Sequence, residues 1–154
     1  MMRVRQLHPL AVFGLAMSAT LGFALFGWTV IGIRPWSFLL YVALIGVPFV
    51  AWSVERVQHW RIITRWQWML DGLVVAVALV RGLGLLPLVS GHALFLTYAL
   101  WTTRSLLVRL TASVVMLQVV YVKGFGADES LWWGIGVGCV AGWVYRTQRL
   151  EMKG

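Results

Sequence analysis

Apolar residues run through this chain in six blocks, at residues 10–33, 37–53, 66–80, 91–103, 106–122 and 131–145. Short clusters of basic, glycine and proline residues separate them. Continuous apolar stretches of helical length, without strict alternation, predict helices. A run near 20 residues is long enough for a bilayer. Arg34-Pro35-Trp36 turns the chain after the first block, Thr103-Arg104-Ser105 makes a tight turn, and residues 123–130 form a polar loop with Asp128-Glu129. Pro48 is a point of distortion in the second block. Residues 54–68 interleave Arg56, Arg61 and Arg65 with Trp60, Trp66 and Trp68, the pattern of a short helix along an interface. The fourth block is short for a span. It calls for tilt, a thinned bilayer or a re-entrant piece at 83–88.

Composition sharpens this picture. The chain is 60% hydrophobic and 12% charged, against about 25% charged residues in a soluble domain. The prediction is an all-α integral membrane protein, residues 1–154 forming a single transmembrane domain of six transmembrane helices. Ala16-Met17-Ser18-Ala19 has the form of a cleavage site, but hydrophobicity continues well beyond it and favours an uncleaved span. Of thirteen Lys and Arg residues, only Arg34, Arg81 and Lys123 fall on the side opposite the termini. The positive-inside rule then makes the N- and C-termini cytoplasmic and the location the bacterial inner membrane. The net charge of +8 is spread in clusters between apolar blocks, which argues against nucleic acid as a partner. Gly14, Ser18 and Gly22, and again Gly134, Gly138 and Gly142, recur every fourth residue and predict close helix packing. The lone Cys139 excludes an intrachain disulfide and a cysteine-based metal cluster.

Candidate chemistry gathers at the outer mouth of this topology. Ser90-Gly91-His92 opens the fourth helix. Ser90 is a good N-cap, and a helix start offers unpaired N–H groups to an anion. Arg81, Lys123 and Asp128 fall at the same end, as does Arg34. Gln118 and Tyr121, three apart, can face it too. Inside the span region, Asp71 and Arg109 come to similar depth, and each is costly alone, so they are expected to form a structural ion pair. His8 and His59 lack a third ligand nearby, so no metal is expected. The sequence carries no glycine-rich phosphate loop, dinucleotide fingerprint or zinc-protease motif, and no cofactor is expected.

Ser90-Gly91-His92 followed by Ala93-Leu94-Phe95 resembles the second motif of the type 2 phosphatidic acid phosphatase family, over a stretch from about residue 66 to 145. The resemblance implies a six-helix core and a phosphate site. In that family the corresponding histidine protonates the leaving group, so His92 takes the place of the general acid. Ser90 and Gly91 take the place of the phosphate-facing backbone, and Arg81 that of a first-motif cation. The family's third motif supplies an attacking histidine and an aspartate that orients it. The matching stretch here, Gln118 to Asp128, holds Lys123 and Asp128 but no histidine. Covalent phosphoryl transfer needs both an in-line nucleophile and an acid, so this mechanism cannot run unchanged.

The expected function is therefore a catalytically degenerate, phosphatase-like protein that binds an anionic lipid headgroup through Arg81, Lys123, Ser90 and Gly91. Asp128 would orient Lys123 or His92. The expected partners are membrane lipids, an anionic phospholipid or an isoprenyl phosphate. An active lipid phosphatase or phosphotransferase with altered motifs is the alternative, as is a structural subunit of a larger membrane complex or homo-oligomer. Whether the chain is an enzyme stays open at this point.

Overall fold

A computed structural model describes residues 8–29, 36–59, 62–82, 88–124 and 128–151. The described residues form six helices: α1 (Pro9–Thr29), α2 (Trp36–Gln58), α3 (Arg65–Gly82), α4 (Gly91–Thr102), α5 (Leu106–Gly124) and α6 (Glu129–Glu151). The all-helical expectation holds. The chain falls into two compact units, Met1–Trp60 and Arg61–Gly154.

The integral membrane prediction does not hold. Among the described residues, no helix is long and apolar enough to cross a membrane. The six predicted spans, the cytoplasmic assignment of both termini and the inner-membrane location therefore lose their basis. The physical reason is plainest in α4. Its twelve residues rise only about 18 Å at 1.5 Å each, against a hydrocarbon core of about 30 Å. It is apolar all round because it is a buried core helix. Only His92, Leu100 and Trp101 escape full burial along it. In α3 and α5, charge interrupts the apolar runs. Asp71 lies within α3, Arg109 within the first turn of α5, and Lys123 in its last turn. The re-entrant piece predicted at 83–88 lies outside the described residues except for Leu88, as does Arg34.

In the first unit, α1 packs on α2 by a face other than the predicted one. Gly14 and Gly22 have open space where a Cβ would stand. The buried stripe is Val12, Ala16 and Thr20, also four apart but offset by two residues, which is the far side of the helix. Thr20 donates its hydroxyl to the Ala16 carbonyl at 2.6 Å. Its methyl sits where a side chain on Gly46 would be, 2.5 Å from that Cβ position. α2 runs through Pro48 as one helix, with the ring fully buried.

The second unit is built around α4, against which α3, α5 and α6 all pack. The predicted small-residue face of α6 makes the tightest of these contacts. A Cβ on Gly134 would lie 2.6 Å from the Ser90 carbonyl oxygen, and one on Gly138 2.7 Å from that of Leu94. At Gly142 the neighbour is the Trp101 side chain, which also carries the Arg146 guanidinium 5.4 Å from its ring centroid. On the other side, Gly91 abuts the Ala78 carbonyl of α3, which a Cβ there would meet at 2.7 Å.

Local caps start the helices of this unit. Thr64 and Gln67 form a reciprocal capping box. The Thr64 N–H donates to Gln67 Oε1 at 3.1 Å, and the Gln67 N–H to Thr64 Oγ1 at 3.3 Å, satisfying two donors that the helix start leaves open. Thr64→Ala is expected to cost about 1 kcal/mol, read as a lower urea midpoint with an unchanged slope. An unchanged midpoint would show that the box contributes nothing.

Candidate functional site

The start of α4 is held between α3 and α6. Ser90 has the backbone of an N-cap residue, φ −71° and ψ 109°, but its side chain makes no capping bond. Its N–H donates to the Ser130 carbonyl of α6 at 2.8 Å, and its carbonyl accepts from Leu94 at 2.9 Å. The residue is 1% exposed, and its Oγ is buried with no hydrogen-bond partner. A buried hydroxyl left in this state costs free energy. It is a group waiting for an acceptor or donor at a helix N-terminus.

His92 is the second residue of α4 and keeps an exposed edge. Neighbouring atoms nevertheless crowd the ring enough to strip much of its hydration. That desolvation, then the nearby charges of Lys123 and Arg81, hold its pKa below the ordinary histidine value of 6.5. Lys123 lies in the last turn of α5 and Arg81 in the last turn of α3.

Asp128 completes the cluster. Its Oδ2 pairs with Lys123 Nζ at 3.1 Å, and its Oδ1 accepts from the Ser130 N–H at 3.0 Å, capping α6. Its pKa is lowered, first by the Ser130 side chain and then by the Lys123 ammonium. The Ser130 hydroxyl is near enough to favour the charged carboxylate, yet it lacks the geometry of a hydrogen bond. Arg81, Ser90, Gly91, His92, Lys123 and Asp128 are thus brought to one end of the second unit. Of the two orientations expected for Asp128, the bond to Lys123 is present. Gln118 is half-buried and Tyr121 exposed on α5.

The expected Asp71–Arg109 pair gives way to two separate bonds. Asp71 is 3% exposed and accepts the Tyr98 hydroxyl at 2.5 Å. Arg109 is exposed and donates from Nη2 to the Thr103 carbonyl at 3.1 Å. The pairing presumed a common depth in a bilayer, and that frame is absent. Among the described residues no group of three potential metal ligands occurs. His8 Nδ1 accepts from the Leu10 N–H at 3.3 Å, and His59 Nδ1 lies 2.9 Å from the Glu55 carbonyl.

Two participants escaped the sequence reading. Ser130 was detectable in principle, because an aspartate two residues ahead of a serine at a helix start is a capping pattern. Tyr98 carried no signal, being an aromatic residue in an apolar run. No family model, curated protein or solved structure matches this chain.

Proposed function

We propose that the second unit holds a phosphate group at the start of α4 and does not cleave it. The observation that carries this reading is the convergence of Arg81 and Lys123 on His92, beside the buried, unpartnered Ser90 hydroxyl. A helix start supplies N–H donors and a positive dipole end, and the two cations add full charges. The resemblance around Ser90-Gly91-His92 points to the same ligand chemistry. Cleavage is disfavoured because α5 and the start of α6 carry no histidine to attack phosphorus, and Lys123 is an ammonium engaged with Asp128. The ligand chemistry is a phosphate monoester, from a lipid headgroup or a free small molecule.

Equilibrium binding to inorganic phosphate, glycerol 3-phosphate and micellar phosphatidic acid tests this and separates the two sources. Arg81→Ala and Lys123→Ala are each expected to weaken binding about tenfold, as the loss of one charge-assisted contact would. Binding indifferent to both substitutions rejects the site. Phosphate release that is lost in His92→Ala would instead make the protein an active phosphatase.

The depressed pKa of His92 adds a pH signature. A bound anion favours its protonation, so affinity must rise as pH falls towards the depressed His92 pKa. Sulfate, which keeps its charge in this range, should bind several-fold more tightly at pH 5.5 than at pH 8, and His92→Asn should flatten that profile. A flat wild-type profile would remove His92 from the site.

A second reading, a non-catalytic subunit of a larger assembly, draws on the exposed apolar stripe of Leu106, Leu110, Val114, Leu117 and Tyr121 along α5. Co-purification of a stoichiometric partner would favour it.

A further inference from the structure

We propose that Asp128 is a built-in competitor for the phosphate site, holding Lys123 until an incoming anion displaces it. The inference rests on the phosphate-binding reading above and adds a regulatory contact to it. Three observations carry it. Asp128 uses its two carboxylate oxygens differently: Oδ1 caps the Ser130 N–H at 3.0 Å, and only Oδ2 reaches Lys123 Nζ, at 3.1 Å. Releasing Lys123 therefore leaves the cap of α6 intact.

The pair is also open to water, with Lys123 21% and Asp128 38% exposed. An exposed ion pair is weak and easily exchanged. Finally, Ser130, whose N–H Asp128 caps, accepts the Ser90 N–H at 2.8 Å, so the pair stands beside the start of α4, where Ser90 Oγ lies buried without a partner. A phosphate placed there offers Lys123 a doubly charged acceptor in place of a carboxylate. No covalent step is involved. One ion pair breaks, another forms, and Asp128 Oδ2 is left to solvent while Oδ1 keeps the cap.

The test is titration of the full chain with inorganic phosphate at pH 8. Asp128→Asn removes the charge and keeps a good N-cap, and Asp128→Ser does the same with a different side chain. Both are expected to bind phosphate about fivefold more tightly than wild type. In a Lys123→Met background the same substitutions should change affinity less than twofold. In the wild-type protein, the carboxyl carbon resonance of Asp128 should titrate at higher pH when phosphate is bound, because it has lost its cation.

Unchanged or weaker affinity in both Asp128 variants, with binding still dependent on Arg81, would overturn the competitor role and leave the phosphate site standing. An Asp128 titration unmoved by bound phosphate would overturn it equally. Absence of phosphate binding in wild type and variants alike would reject the site itself.

Discussion

Gly138→Leu is expected to abolish cooperative folding of the second unit. A Cβ at this position would stand 2.7 Å from the Leu94 carbonyl oxygen and 2.8 Å from Thr97 Cβ. The first of these neighbours is backbone and cannot rotate away. α4 cannot retreat either, because Gly91 already lies against Ala78 of α3, with 2.7 Å from its Cβ position to that carbonyl, and α5 packs on α4 as well. Insertion of bulk into such a contact costs about 3 kcal/mol, a large share of the stability of a small unit. Gly136, on the same helix, is the control. It has nothing within 4 Å of its Cβ position, so Gly136→Ala should gain up to about 1 kcal/mol from helix propensity alone. Urea unfolding followed by hydrogen exchange of the α4 amides reads both. A Gly138→Leu protein with wild-type protection in α4 would show that the α4–α6 contact is not what holds this unit together.

The contrast between these two glycines shows what the sequence can convey. The four-residue recurrence of Gly134, Gly138 and Gly142 marks one face of a helix, and that face is the one packed on α4. The same recurrence in Gly14, Ser18 and Gly22 marks a face that leaves Gly14 and Gly22 in open space, while Val12, Ala16 and Thr20 are buried. Spacing identifies a face; it does not say which face finds a neighbour. The six helices were legible because proline, glycine and charge clusters interrupt the apolar runs. The setting of those helices was not. A mostly apolar run of twelve residues suits a buried core helix as well as a shortened span, and α4 is the former. At the candidate site, the sequence put Arg81, Ser90, His92, Lys123 and Asp128 at helix ends, and each stands at one. Asp71 and Arg109 were not legible, because their pairing depended on a shared bilayer depth.

The Tyr98 hydroxyl that Asp71 accepts gives the second large effect. Tyr98→Phe is expected to cost about 2–3 kcal/mol. Tyr98 is fully buried on α4 and donates its hydroxyl to Asp71 Oδ1 at 2.5 Å, across 27 residues of sequence. Its ring also meets Tyr145 of α6 edge-on, with centroids 6.1 Å apart. The side chain therefore ties α3, α4 and α6 at one point. Phenylalanine keeps the ring and the contact with Tyr145 but deprives a buried carboxyl oxygen of a donor. A hydrogen bond to such a group contributes about 1.5–3 kcal/mol. The double variant Asp71→Asn with Tyr98→Phe separates these effects. If the cost lies in the deprived carboxyl, the double variant should recover part of the loss, because a neutral amide is cheaper to leave buried than a carboxyl group. Denaturation midpoints of the wild type, both single variants and the double variant close the cycle. Additive losses, with no recovery in the double variant, would mean that the Tyr98 hydroxyl and Asp71 are not energetically coupled.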